Sequence, residues 1–226
     1  MKIPQLHIPD GFINAPVSLV SLVIAAFFIY LALRGAKNQL DEKVAPLAGL
    51  AAVFIFAMQM INFPVAAGTS GHLIGGALAA ILIGPWAGVL AVTVVLFVQA
   101  LFFADGGLIA LGLNVINLSV IATLGSWYIF KLLQKILPKN RIGFLTATAI
   151  AAYISVPLSA VGFSIQFAIG GTAAIELSKV LIAMLGVHAV IGIGEAIITV
   201  LTVSAVLSVR RDLVYAAASN KSLLKN

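Results

Sequence analysis

HLIGGALAAILIGPWAGVLAVTVVLFVQALFF, residues 72–103, decides the architecture. As one helix rising 1.5 Å per residue it would run for about 48 Å, well beyond the ~30 Å of hydrocarbon that a simple span crosses. Gly84-Pro85 interrupts it, and proline does not continue a helix because it lacks an N–H and its ring clashes with the preceding turn. The stretch is therefore two spans, 72–83 and 86–103. Outward from that break, charge, proline and glycine separate five more apolar runs, at 17–33, 44–63, 108–130, 142–168 and 180–209. The expected fold class is an all-α integral membrane bundle of about seven transmembrane helices. It forms one membrane domain over residues 1–226, opened by a tail at 1–15.

Composition agrees. Of 226 residues, 62% are hydrophobic and 9% charged, against about 45–50% apolar and 25% charged in a soluble domain. The net charge of +6 does not suggest nucleic acid, because the positives sit in short clusters between apolar runs and no basic, aromatic-interleaved stripe is present. With seven spans and an outside N-terminus, Arg34, Lys37, Lys43, Lys131, Lys135, Lys139, Arg141, Arg210, Arg211, Lys221 and Lys225 fall inside, and Lys2 and Lys179 fall outside. That asymmetry predicts the N-terminus outside and the C-terminus inside. Met1–Gln5 carries one lysine and no apolar core precedes His7, so the start does not read as a secretory signal.

Several chemistries are excluded. There is no cysteine, hence no disulfide or thiolate metal site. No P-loop, H-E-x-x-H or G-x-S-x-G motif occurs, so ATP cradling and the common hydrolase mechanisms have no sequence basis. What remains is sparse and polar. The orientation brings His7, His72 and Asp105 to one external mouth. Neutral imidazole suits nickel, copper, zinc and cobalt, yet two histidines do not fill a coordination sphere, and from spacing alone unrelated interfacial histidines are the commoner case. The glycine-rich connection 63–71 leading into His72 is either a tight turn or a cavity lining. Gln59, Asn62, Gln99, Asn114 and Asn117 are uncharged polar groups in or near spans, available to line a pocket or to bond between helices. Gly76, Ala80, Gly84 and Gly88, four apart, suit close helix packing or docking to a partner. His188 and Glu195 share a face of the last span about 10 Å apart, as structural groups or as a proton relay.

Six blocks carry a resemblance. His7-Ile8-Pro9-Asp10-Gly11-Phe12, the run 59–65 from Gln59 through Asn62, and the run 68–76 containing Ser70 and His72 are three of them. The others are Gln99 to Gly107 containing Asp105, Gly112-Leu113-Asn114 with Asn117, and His188 to Glu195. Together, and in this order over about residues 7–210, they resemble the CbiM/NikM proteins, the cobalt and nickel capture (S) components of energy-coupling-factor transporters. The resemblance implies a seven-helix fold whose N-terminal tail enters the outer centre. It implies a transported Co2+ or Ni2+ and no permanent cofactor. The ion would sit in a square plane of terminal amine, backbone amide nitrogen, that residue's imidazole and a second histidine. Here these correspond to backbone nitrogens at Leu6 and His7, the His7 ring and His72, with Asn62, Ser70, Asp105, Asn114 and Asn117 around them. The implied partners are a transmembrane coupling subunit, two ABC-type ATPase subunits and a small accessory membrane subunit, in the lipid bilayer of a prokaryotic cell membrane, supplying for example cobalamin synthesis. The alternative is a stand-alone secondary metal transporter or channel working through His188 and Glu195. The family tail opens Met-His, whereas Leu6 precedes His7 here. The expectation is therefore a start at position 6, by initiation at the leucine codon or by removal of Met1–Gln5.

Overall fold

The structure, a computed structural model, describes residues 7–39, 44–64 and 70–218, with the side chains of 62–64 and 70 left outside the description. Within these residues seven helices run α1 Ala15–Ala36, α2 Val44–Gln59, α3 Gly76–Ile83, α4 Pro85–Phe102, α5 Leu111–Ile136, α6 Arg141–Gly170 and α7 Leu177–Val209. Five of them (α1, α4, α5, α6 and α7) are long and apolar enough to cross a membrane. Their outward faces are apolar as well, with Val23, Phe27, Ile182 and Val190 exposed. A helix that is hydrophobic all round belongs in a hydrocarbon solvent, where water does not select a polar face.

Local chemistry sets the helix ends. Asn14 caps α1 by accepting from the Val17 N–H, and Asn140 caps α6 through Gly143 N–H. Each satisfies one of the orphan donors of a first turn. The α3–α4 turn needs Gly84, which lies at φ 94°, a region that side chains with a Cβ rarely enter. Pro85 then opens α4, where its missing N–H costs nothing. The next two N–H groups, of Trp86 and Ala87, both donate to Gln39 Oε1 at 3.0 Å.

The break at Gly84 thus separates two helices as expected, but three of the expected spans need correction. The 44–63 run stays helical only to Gln59. The chain then forms a short antiparallel hairpin, β1 Asn62–Pro64 with β2 Ser70–His72, in which Asn62 stands opposite His72. His72 is therefore in a strand, and α3 begins only at Gly76. At eight residues it is about 12 Å long, too short to span alone. All eight are buried, and α3 packs against α2, α4, α5, α6 and α7 as the central post of the bundle. Its close contacts use the small residues: a Cβ on Gly76 would press on the Ala122–Thr123 backbone, and one on Gly88 on the backbone of Ala79 and Ala80. The four-residue spacing serves internal packing. The 108–130 run also shifts, starting at Leu111 and continuing to Ile136 through a π-helical stretch, Val115–Ile121.

The tail is docked along its described length. Asn14 N–H donates to Gly170 O at 2.7 Å and Thr172 N–H to Phe12 O. Ile8 and Ile13 pack with Ala110, Leu113 and Phe167 in a small apolar cluster separate from the main core. At the far end of the bundle, Tyr215 meets Trp127 and Gln39 beneath the Gly84 turn.

Candidate metal centre

The hairpin, the α4–α5 loop and the tail meet at one end of the bundle, where the His7 and His72 rings lie edge to face with centroids 4.6 Å apart. The sequence separates these rings by 65 positions, and the docking of the tail closes the gap. Both residues are buried, at 6% and 5% exposure, so neither can be satisfied by bulk water.

The His72 Nδ1 lies 2.7 Å from the Leu73 carbonyl. A carbonyl only accepts, so Nδ1 carries the hydrogen and Nε2 is left with its lone pair. Burial above all, then the neighbouring His7 ring, pushes the His72 imidazole down to about 3, which keeps it neutral. His7 Nδ1 lies 3.3 Å from Asp105 Oδ2, and neither of its buried ring nitrogens has a hydrogen-bond partner among the described residues. A buried imidazole nitrogen without a partner is costly unless something else occupies its lone pair. The His7 ring and the His72 ring with its Nε2 lone pair, in contact, are suited to share a cation. Among the described residues no three His, Cys, Asp or Glu side chains form a metal cluster, so further donors would have to be backbone nitrogen, amine or water.

The loop opposite is shaped for close approach. Gly106 sits at φ 89°, and a Cβ there would stand 2.8 Å from the His7 Cβ. Asn114 grips the next residue, accepting from Ile8 N–H at 3.0 Å and donating to Ile8 O at 3.2 Å. Asp10 Oδ1 accepts from Ala110 N–H at 2.9 Å, and Thr172 Oγ1 donates to Gly11 O at 2.7 Å.

Of the expected surroundings, Asp105 and Asn114 are therefore at the site. Asn117 points elsewhere: its Nδ2 donates to Gln166 Oε1 at 2.7 Å, between α5 and α6. In an α-helix residues three apart share a face, but the wider π turn that begins after Asn114 rotates the two asparagines apart. Asn62 and Ser70 lie on the two strands, with their side chains outside the described part, and Leu6 lies outside the described residues altogether. His188 and Glu195 do not pair. His188 Nδ1–H donates to Met184 O one turn back, whereas Glu195 accepts from Ile74 N–H at 2.8 Å and Gly75 N–H at 2.7 Å. The sequence alone does not single out Asp10, Gly106 or Thr172. An aspartate and glycines in the tail and loop signal turns, but only the docked tail shows what those turns serve.

Over residues 7–213 the chain matches the family described as the cobalt uptake substrate-specific transmembrane region, CbiM. It belongs to that family. A Haloquadratum walsbyi protein provisionally named for metal transport is 38% identical over 218 residues, covering 96% of this chain and 97% of that one. The fused nickel transport protein NikMN of Rhodobacter capsulatus is 40% identical over 116 residues, or 51% of this chain and 33% of the fused one. A crystal structure of a transition metal transporter superimposes with a TM-score of 0.84 at 28% identity, covering 97% of this chain and all of that one. The CbiM family is a metal transport component, not an enzyme, and this member is a multi-pass membrane protein.

Proposed function

We propose that the chain is the capture subunit of an ATP-driven energy-coupling-factor importer, binding Co2+ or Ni2+ at His7 and His72. The convergence of these two buried rings carries the reading. Two imidazoles bound cis to one ion, with metal–nitrogen bonds of about 2 Å, place their centroids ~4.4 Å apart, close to the 4.6 Å found here. The backbone nitrogens of Leu6 and His7 complete a nitrogen-rich plane, with a terminal amine if the mature chain starts at position 6, and such donors favour nickel(II). Asp105 and Asn114 hold the first histidine and its neighbouring peptide. The ion is cargo, and the protein keeps no permanent cofactor.

The site faces the outside of a prokaryotic cell membrane, which the distribution of positive residues supports. The absence of a P-loop from the sequence agrees with ATP hydrolysis by partners: two ATPase subunits, with a transmembrane coupling subunit. The fused relative supports a further small membrane subunit. Supply of cobalt for cobalamin synthesis or of nickel for nickel enzymes is the biology that follows.

Metal analysis of the purified chain after loading with Ni2+ or Co2+ tests the site. One ion per chain is expected, lost in His7→Ala and in His72→Ala. Stoichiometric metal in both variants refutes it. Uptake should also need the ATPase subunits. Uptake that persists without them yet fails in Glu195→Gln would instead establish a secondary transporter.

A further inference from the structure

One peptide unit near the site is hydrogen-bonded at both ends. The Leu73 carbonyl accepts from His72 Nδ1 at 2.7 Å, and the Ile74 N–H of that same peptide donates to Glu195 Oε2 at 2.8 Å. The following peptide repeats the arrangement. Its Gly75 N–H donates to Glu195 Oε1 at 2.7 Å, and its Ile74 carbonyl accepts from Gln59 Nε2 at 2.8 Å. Glu195 lies in the middle of α7 and is fully buried. Both of its oxygens thus act on two consecutive peptides that lead back to His72.

We infer that Glu195 is a positioning residue for metal capture, acting on His72 through the Leu73–Ile74 peptide; this rests on the capture reading above. The physical reason lies in the peptide dipole. A carboxylate accepting from the N–H draws the amide toward its charge-separated resonance form and leaves the carbonyl oxygen more negative. That oxygen then holds the Nδ1 hydrogen more firmly, which fixes the ring's tautomer and enriches the Nε2 lone pair. A ligating histidine commonly gives its second N–H to a carboxylate or a carbonyl. Here the carbonyl and the carboxylate are joined in series by one peptide.

The bland alternative is that Glu195 only pins the turn before α3, where Gly75 sits at φ 80°. Pinning alone predicts a loss of stability and leaves the electronic state of His72 untouched. The two therefore differ in a spectroscopic signature.

The test uses the full chain in nanodiscs, labelled with 15N-histidine and 15N-isoleucine. The sequence has three histidines, so the histidine ring signals are simple to assign. In metal-free wild-type protein His72 is expected as the Nδ1–H tautomer with a strongly downfield proton, and the Ile74 amide as far downfield also. These need no variant, and a His72 Nε2–H tautomer or an ordinary Ile74 amide overturns the proposal. In Glu195→Gln the His72 Nδ1–H resonance should move upfield, and Ni2+ affinity by titration should fall about 10- to 100-fold. An unmoved resonance, or unchanged affinity, overturns it. If the resonance moves but wild-type protein takes up no Ni2+, the capture reading fails and the positioning role falls with it. The metal-free spectrum tells that failure from a failure of the relay itself.

Discussion

Asn114 holds the backbone of Ile8 at both ends, its Oδ1 accepting the amide hydrogen at 3.0 Å and its Nδ2 donating to the carbonyl at 3.2 Å. The two residues are 106 positions apart, and the clamp fixes the backbone next to His7. Because Gly107 N–H also donates to the Ile8 carbonyl, the Ile8 N–H is the group that depends on Asn114 alone among these contacts. Asn114→Leu would strand that buried donor, at about 1–3 kcal/mol. The expected result is faster hydrogen exchange at Ile8 and Ni2+ binding at least about 10-fold weaker, read by exchange NMR and metal titration. Unchanged exchange at Ile8 would show that the clamp does not hold the tail.

Gly106→Ala tests the approach of loop and tail. The residue's positive φ costs an ordinary L side chain about 1–2 kcal/mol, and the new methyl would meet the His7 Cβ at 2.8 Å. Both effects fall on the site, so metal affinity should drop by more than the loss in thermal stability explains. Melting curves with and without Ni2+ compare them, the metal-induced stabilisation being the quantity that shrinks.

At the opposite end, Gln39→Ala should separate stability from binding. Losing the oxygen that accepts from Trp86 and Ala87 uncaps α4, worth about 0.5–2 kcal/mol. The melting temperature is expected to fall while Ni2+ affinity stays within about twofold. A binding defect of 10-fold would instead mean that the Gly84 turn communicates with the His7–His72 pair.

Thr172→Val provides a milder version of the Asn114 experiment. It removes the hydroxyl bonds to Gly11 and Phe12 carbonyls but leaves the Thr172 N–H on Phe12. Those carbonyls are near solvent, which can replace the lost donor, so the cost should be about 0.5–1 kcal/mol. Metal titration should show less than about a fivefold change, well below that of Asn114→Leu.

Some of the site was legible because its chemistry is local. His7 and His72 stand out as two of three histidines, each beside turn-forming residues, and Asp105 lies in a glycine-flanked loop. The resemblance puts Asn117 around the ion, whereas it bonds between helices to Gln166, because the π turn after Asn114, which no single residue encodes, rotates it away. The start of α3 was misplaced for a related reason. His72-Leu73-Ile74 is apolar enough to continue a helix, but the strand pairing with Asn62 and the bonds that Ile74 and Gly75 N–H donate to Glu195 give the backbone other partners.

The sequence by itself determined the all-helical membrane class and the break at Gly84-Pro85, because the length of an apolar run and a Gly-Pro interruption are properties of neighbouring residues. Only the tertiary structure decided which polar groups meet. Helices apolar on every side carry no periodic signal of their rotation, so nothing along α7 tells that Glu195 turns toward Ile74 and Gly75. The contact of His7 with His72 depends likewise on a tail docked through Asn114, Gly170 and Thr172, partners more than 100 residues away whose positions are set by packing.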